Sequence, residues 1–257
     1  MYILFDGDDT LWGMQHVYYE ARDKFLDLCK RQGINRADAE RRFAEIDLER
    51  AIRNGGFDRL EFGQSMLDTY KELCMLYGAK YTTEIHADIV DLGEIPYRKR
   101  VRLIPQSEYD VAEVLNRLSS HRTILGGPPV GHTLMLYTSG RPDVQWRKAK
   151  ETGLLKFFTN YIVLPNKNAT LLRGILETYS IDPLDAVVVG NSLRSDIYPA
   201  LEVGCHAVFI PNGGWAYDKV PTRPGYLQLT ELSELLGENV WDTLKALKRV
   251  STTSRAA

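Results

Sequence analysis

The feature that most constrains the fold is a short apolar run that ends abruptly in polar residues. Residues Tyr2–Phe5 are continuously apolar, and they lead directly into Asp6-Gly7-Asp8-Asp9-Thr10. A run of this kind is typical of a buried parallel strand that delivers polar residues at its carboxyl end. Similar runs recur late in the chain, at 134–137, 161–164, 186–189 and 206–210. The sequence therefore predicts a set of buried strands.

Helical patterns separate the late strands. They cover residues 143–152, 169–179 and 196–203. Gly153 and Gly204 follow the first and the last of them, and glycine commonly ends a helix. Strands that alternate with helices predict an α/β fold, with a parallel sheet and helices on both faces. Ligands of such sheets bind beyond the carboxyl ends of the strands, where Asp6, Thr138 and Asn191 fall.

The stretch from residue 14 to residue 95 has a different pattern. Apolar residues such as Ala21 and Phe25 recur there every three or four positions, and no convincing strand pattern is present. We expect a helical insert between the first strand and the rest of the sheet. The predicted domains are an α/β core of residues 1–13 and 96–257 and a helical domain of residues 14–95.

Three short segments are predicted to be irregular. Asn54-Gly55-Gly56 marks a break within the helical domain. Residues 121–132 are expected to form a loop of unassigned role before the second long strand, and they lack the Gly-Lys-Ser/Thr ending of a nucleotide-binding loop. The small and polar residues 251–257 are expected to form a frayed tail.

The composition argues against several kinds of function. The 257 residues include 32 basic and 34 acidic ones, and the net charge of −2 predicts no attraction to nucleic acid or to an anionic membrane. No stretch approaches the ~20 apolar residues that cross a bilayer. Cys29, Cys74 and Cys205 are far apart and odd in number, which favours free thiols and predicts a cytoplasmic protein. The sequence carries no signal for the oligomeric state.

Two carboxylates, Asp6 and Asp8, follow the first predicted strand, and a slight bend of the backbone turns both toward one pocket. Crowded negative charge at a strand end is most simply explained by a hard cation with oxygen ligands, and Mg²⁺ is the usual one where a phosphate also binds. Asp196 follows another strand end by six residues and is a candidate third ligand. The alternative is that these acids only cap turns and helix starts.

Four motifs in order resemble those of the haloacid dehalogenase (HAD) superfamily. Asp6-Gly7-Asp8-Asp9-Thr10 resembles its first motif, D-x-D-x-T after an apolar strand. Thr138 is similar to its second motif, Lys167 to its third, and Gly190 to Asp196 resembles its fourth, usually G-D-S-x-x-x-D. The resemblance implies a Rossmann-like core, a helical cap between the first and second motifs, and phosphoryl transfer through an aspartyl-phosphate.

The resemblance also implies a role for each matching residue. Asp6 is the expected nucleophile. Asp8 is the expected acid and base, with its main-chain carbonyl on the metal. Thr138, with the adjacent Ser139, and Lys167 are expected to bind the phosphoryl group. The expected Mg²⁺ ligands are Asp6, Asp8, Asp196 and Asn191. Asn191 stands where the motif usually has Asp, and an amide contributes no charge to metal binding.

The sequence therefore predicts a magnesium-dependent phosphatase that acts on a small phosphorylated metabolite, since a cap excludes bulky substrates. A phosphotransferase and a haloacid dehalogenase are alternatives on the same fold. The family's dehalogenases generally lack an acid two residues after the nucleophile, so Asp8 favours ester hydrolysis. A catalytically weak binding or regulatory protein is a further alternative, because of Asn191. The sequence does not name the substrate or the cap residues that select it.

Overall fold

The structure is a computed structural model, and it describes residues 1–53, 59–119, 131–213 and 220–253. The predicted break at 54–56 and most of the predicted loop at 121–132 lie outside the described residues. Contacts divide the chain into two compact units. Met1–Gly13 and Val101–Ala257 form one of them, called here the α/β unit. Met14–Arg100 forms the other, called the helical unit.

The strands of the described residues all belong to the α/β unit. They are β1 (Tyr2–Phe5), β2 (Trp12–Gly13), β3 (Arg102–Leu103), β4 (Thr133–Ser139), β5 (Asn160–Leu164), β6 (Ala186–Gly190), β7 (His206–Phe209) and β8 (Leu227–Gln228). Six of them form one sheet in the order β5-β4-β1-β6-β7-β8, and every neighbouring pair is parallel. The predicted α/β fold with a parallel sheet is confirmed. β2 and β3 form a short antiparallel ribbon that the sequence did not indicate.

The position of β1 decides where the functional residues meet. β1 lies between β4 and β6, and Phe5 pairs with Leu136 on one side and with Val189 on the other. The strands are continuously apolar because both faces of the sheet are covered, so that Leu4 and Val188 are fully buried. Because the three strands run in the same direction, the polar residues that follow them gather at one edge of the sheet.

Helices make up most of the remaining described residues. They are α1 (Gln15–Arg31), α2 (Arg36–Arg53), α3 (Arg59–Tyr77), α4 (Thr83–Arg98), α5 (Val111–Ser119), α6 (Pro142–Glu151), α7 (Ala169–Thr178), α8 (Tyr198–Val203) and α9 (Val240–Thr253). The predicted glycine stops are confirmed. Gly153, two residues after the end of α6, and Gly204, directly after α8, have φ of 73° and 99°, in the left-handed region that glycine adopts without steric cost.

The helical unit consists of α1 to α4. The predicted apolar stripe of α1 is buried, including Ala21 and Phe25. The apolar side chains that recur along α3 are also buried as far as Leu73, whereas Tyr77, near the end of that helix, is 37 % exposed. α3 and α4 approach each other closely at one point, where a Cβ added to Gly93 would lie 2.5 Å from the Cα of Gly63. These two glycines allow the backbones to approach each other.

Two predicted boundaries differ from the structure. The helical unit ends at Arg100 rather than at residue 95, because α4 continues through Pro96. A proline in the last turn removes a single intrahelical hydrogen bond, and the Lys99 N–H still bonds the Ile95 carbonyl at 3.0 Å. α9 is helical as far as Thr253, three residues into the predicted frayed tail, and residues 254–257 lie outside the described part of the chain.

Cys29, Cys74 and Cys205 are free thiols, as predicted, and all three are buried. No helix in the described ranges is both long and apolar enough to span a bilayer.

Candidate active site

A tight turn at the end of β1 positions the first pair of acids. The Asp6 N–H bonds the Val189 carbonyl at 2.9 Å, so strand pairing reaches the first acid. The chain then turns, and the carbonyl of Gly7 accepts from the N–H groups of Leu11 at 2.9 Å and Trp12 at 3.2 Å. A side chain at residue 7 is excluded, because its Cβ would lie 2.5 Å from the Trp12 ring.

Asp6, Lys167 and Asp196 form a buried cluster at the carboxyl edge of the sheet. Lys167 Nζ donates to Asp6 Oδ1 and, at 2.6 Å, to Asp196 Oδ1. The side chains are 8 %, 2 % and 1 % exposed, respectively. Residue 190 must be glycine for this arrangement, because a Cβ there would lie 2.3 Å from Asp196 Oδ2. Three residues from three different sequence motifs therefore meet in one contact.

The charge of this cluster is unbalanced, since two carboxylates share one ammonium. Burial raises the pKa of Asp6 to about 7, Lys167 acts to lower it, and Asp196 raises it further. Burial opposes the charge on Lys167, but Asp196 and Asp6 outweigh that effect and raise its pKa. The surplus of buried negative charge favours the binding of a cation beside Asp6.

Neutral oxygen atoms complete this side of the site. Thr10 Oγ1 donates to Asp6 Oδ2 at 3.1 Å and lies 3.5 Å from Asn191 Oδ1. Asn191 Nδ2 donates to the Asn212 carbonyl at 3.2 Å, which turns Asn191 Oδ1 toward the hydroxyl of Thr10. An aspartate at 191 would lack this donor and would place an anion beside that carbonyl.

The donor set fits Mg²⁺ only with the help of these neutral oxygens. Within the described ranges no three His, Cys, Asp or Glu side chains are grouped to hold a metal ion. Mg²⁺, however, is usually held by one or two carboxylates and completes its coordination with water. The carboxylates of Asp6 and Asp196 and the carboxamide oxygen of Asn191 are ligands of that chemistry.

Thr138 brings an unpaired hydroxyl to the same edge. It is the penultimate residue of β4 and is 1 % exposed, and a Cβ added to Gly7 would lie 3.2 Å from its Oγ1. Its Oγ1 is buried and has no hydrogen-bond partner in the described structure. Buried polar atoms are rarely left unpaired, so this hydroxyl is available to a ligand oxygen. Ser139 is the last residue of β4, and its main-chain carbonyl accepts from Gln145 Nε2 at 2.8 Å.

Asp8 has different partners from Asp6. Its carboxylate accepts from Lys148 Nζ, Gln145 Nε2 and Trp12 Nε1. Sequence reasoning missed Lys148 and Gln145, although a signal was present: both lie three or four residues from Val144 or Ala149 and so share the apolar face of α6.

Comparisons with known proteins agree with this geometry. Residues 165–235 match a family model described as HAD-hydrolase-like. A glyceraldehyde 3-phosphate phosphatase from Pyrococcus furiosus is 28 % identical over 86 % of this chain and 90 % of its own length. Among solved structures, a haloacid dehalogenase-like family hydrolase from Xanthomonas campestris has a TM-score of 0.75 at 21 % identity, with 97 % of each chain covered. The magnesium-bound HAD-hydrolase YfnB from Bacillus subtilis has a TM-score of 0.59 at 20 % identity, covering 91 % of this chain and 96 % of its own.

The fold and the site together define a Rossmann-like α/β protein with an acidic, lysine-bridged site at the carboxyl edge of its sheet. A HAD-hydrolase-like family model matches part of this protein, residues 165–235. Over most of its length the chain is similar to a phosphatase and to a haloacid dehalogenase-like hydrolase.

Proposed function

We propose that this hydrolase is a magnesium-dependent phosphatase, which releases phosphate from a small phosphorylated metabolite through an aspartyl-phosphate on Asp6. The observation that carries the proposal is the arrangement around Asp6. One of its oxygens is paired with Lys167, the other accepts from Thr10, and the unpaired hydroxyl of Thr138 lies against the neighbouring Gly7. A nucleophile, a buried cation and a free donor are what phosphoryl transfer requires.

In the first step an oxygen of Asp6 forms a bond to phosphorus while the ester P–O bond breaks. Asp8 gives a proton to the departing alcohol oxygen, which prevents the release of a basic alkoxide. Lys167 offsets the negative charge that gathers on Asp6 and on the phosphoryl oxygens, and Thr138 donates a hydrogen bond to one of those oxygens. Ser139, at the end of the same strand, contributes to the phosphate site.

In the second step a water molecule attacks phosphorus, Asp8 takes its proton, and phosphate and Asp6 are released. Mg²⁺, when it is bound by Asp6, the main-chain carbonyl of Asp8, Asn191 and Asp196, supplies positive charge that screens the repulsion between nucleophile and substrate. With asparagine rather than aspartate at 191, the ligands proposed for the metal carry one negative charge fewer.

The substrate class follows from the relative and from Asp8. The relative from Pyrococcus furiosus is named for glyceraldehyde 3-phosphate, a three-carbon ester of a primary alcohol. Such an alkoxide leaves poorly, so an acid at residue 8 is most useful for esters of this class. Asp8 disfavours the dehalogenase alternative, because displacement of halide needs no proton. A cytoplasmic location stays a prediction.

The test is a phosphate-release assay with and without Mg²⁺. The panel includes glyceraldehyde 3-phosphate, glycerol 3-phosphate, phosphoserine, a hexose phosphate, a nucleotide and an aryl phosphate. We expect turnover that needs Mg²⁺ and favours a small alkyl ester. The proposal is contradicted if no ester is hydrolysed at any Mg²⁺ concentration by protein that is folded by circular dichroism. Binding of an ester without turnover would support the alternative of a binding protein.

A further inference from the structure

The carboxylate of Asp8 is enclosed by three side chains that the superfamily motifs do not include. Trp12 Nε1 donates to Oδ1 at 2.5 Å, and Gln145 Nε2 donates to Oδ2 at 3.0 Å. Lys148 Nζ lies 2.8 Å from Oδ1 and 2.7 Å from Oδ2. The carboxylate therefore accepts four hydrogen bonds, and Lys148 supplies half of them.

Four bonds match the acceptor capacity of an ionised carboxylate, which has about four lone-pair positions. They fix the rotation of the side chain and the plane of the carboxylate. The proton that Asp8 gives to the leaving alcohol, or takes from water, occupies one of these positions, so in either step one bond at that oxygen is given up. Because Lys148 contacts both oxygens, it can release one of them and still hold the carboxylate by the other.

The burial of Lys148 needs a reason. Its side chain is 2 % exposed, whereas that of Asp8 is 30 % exposed. A buried ammonium is costly unless it is paired, and an apolar side chain of similar length would fill the same space without that cost. Gln145 shows the same pattern, because it is 3 % exposed and its Oε1 is unpaired in the described structure. On this face of α6, Lys148 Nζ and Gln145 Nε2 both donate to Asp8.

We propose that Lys148 is a positioning residue, which holds the carboxylate of Asp8 in the orientation that serves the leaving oxygen. Gln145 and Trp12 complete the orientation. This inference rests on the proposed phosphatase function, in which Asp8 acts on the leaving group. Lys148 touches neither the substrate nor phosphorus in this role and acts through Asp8 alone.

The first test compares Lys148→Met on two esters. Small displacements of a catalytic group cost up to about 100-fold in rate. We expect kcat for an alkyl phosphate to fall ~10- to 100-fold and kcat for p-nitrophenyl phosphate, whose leaving group needs no proton, to fall less than about threefold. KM for both esters should stay within about twofold. Lys150→Met is the matched control on the same helix, because Lys150 is exposed and lies over the Trp146 ring; its rates should equal those of the wild type.

A double-mutant cycle with Asp8→Asn separates this role from a structural one. If Lys148 acts through Asp8, then Lys148→Met causes no further loss on the alkyl ester once Asp8 is replaced. Multiplicative losses, or equal slowing of both esters, would overturn the proposal. Gln145→Met removes one donor and the unpaired oxygen. Its loss of kcat should again be larger on the alkyl ester than on p-nitrophenyl phosphate, but smaller than the loss in Lys148→Met. Gln145→Met also replaces Lys148→Met in this test if that variant does not fold.

A spectroscopic readout keeps this inference separate from the proposed function. If the wild type hydrolyses no ester, the phosphatase proposal fails, and the orientation of Asp8 is still read from the indole N–H proton of Trp12 by NMR. Trp12→Phe assigns that resonance. We expect Lys148→Met to move it upfield as the carboxylate reorients, and Lys150→Met to leave it in place. An unchanged resonance in Lys148→Met would contradict the positioning role.

Discussion

The two units of the molecule differ in whether they bury ion pairs, since the nearly fully buried pairs of the described residues lie in the α/β unit. In the α/β unit, Lys167 is 2 % exposed and pairs with Asp6 and Asp196, which are 8 % and 1 % exposed. In the helical unit, Arg42 pairs with Glu72, and these side chains are 33 % and 46 % exposed. Buried charges are costly and depend strongly on their partners, whereas an exposed pair contributes only ~0–1 kcal/mol.

The difference teaches that burial, rather than the number of ion pairs, marks the residues with a chemical task. The charges inside the α/β unit lie at the sheet edge where the polar residues of four motifs gather. The helical unit buries an apolar stripe and leaves most of its ion pairs partly exposed. Replacing a buried charge of the α/β unit should therefore cost much activity or stability. Replacing an exposed charge of the helical unit should cost little stability.

The largest expected effect is the loss of turnover in Asp6→Asn. An amide cannot form an acyl-phosphate, and the loss of a nucleophile commonly costs on the order of 10⁴ or more in rate. Steady-state assays on the best substrate test this, with mass spectrometry to exclude deamidation. A variant that keeps a tenth of the wild-type rate would show that Asp6 is not the nucleophile.

The next effect is the destabilisation caused by Lys167→Met. It leaves Asp6 and Asp196 buried without their shared cation, and breaking a buried pair typically costs ~3–5 kcal/mol. The matched change Arg42→Gln in the helical unit should cost less than about 1 kcal/mol. Urea unfolding of both variants in the presence of a chelator gives the two free energies of unfolding. Equal losses would remove the contrast between the units.

A smaller effect tests what holds the helical unit together in place of buried charge. Gly93→Ala places a Cβ 2.5 Å from the Cα of Gly63, and overpacking of this kind costs ~1–3 kcal/mol. Gly174→Ala on the exposed side of α7 meets no atom within 4 Å and should stabilise by ~0.5–1 kcal/mol. Thermal unfolding of the two alanine variants should therefore shift in opposite directions. If Gly93→Ala instead unfolds at a higher temperature than the wild type, α3 and α4 can move apart with little loss of stability.

The smallest effect concerns Asp47 of α2, a partial exception in the helical unit. Burial raises the pKa of Asp47 from 3.8 to about 6, although Ser65 and Arg50 act to lower it. Because the folded-state pKa lies above the unfolded one, Asp47 stabilises the fold most at low pH, and this contribution is lost as the pH rises through about 6.

Asp47→Asn should remove that pH dependence. The free energy of unfolding of the variant, relative to the wild type, should increase by ~1–2 kcal/mol between pH 4 and pH 7. Urea unfolding at several pH values measures the difference, and Glu49→Gln at an exposed position of the same helix is the control. A constant difference across this range would show that Asp47 is not desolvated.

Much of the fold was accessible from the sequence because burial on both faces leaves an unmistakable apolar run. The end of each run also located Asp6, Thr138 and Asn191, since parallel strands bring their carboxyl ends to one edge. β2 and β3 were not predicted, because two residues are too few to show a strand pattern.

The surroundings of Asp8 were not predicted because they depend on contacts between distant residues. Lys148 lies 140 positions from Asp8, and its position on the apolar face of α6 does not show which side chain its ammonium meets. Asn212 is another example, since its carbonyl orients Asn191 from a loop beyond β7. Such pairings are set by how helices and loops pack on the sheet.

The most direct test of the central claim is to trap the phosphorylated enzyme. Wild-type protein is mixed with its best alkyl phosphate and Mg²⁺, quenched in acid during turnover and digested for mass spectrometry. We predict a phosphoryl group on Asp6 that is removed by hydroxylamine, as expected for an acyl-phosphate, and that is absent from Asp6→Asn. Turnover with no phosphorylated Asp6 at any quench time, or a phosphoryl group on another residue, would contradict the account.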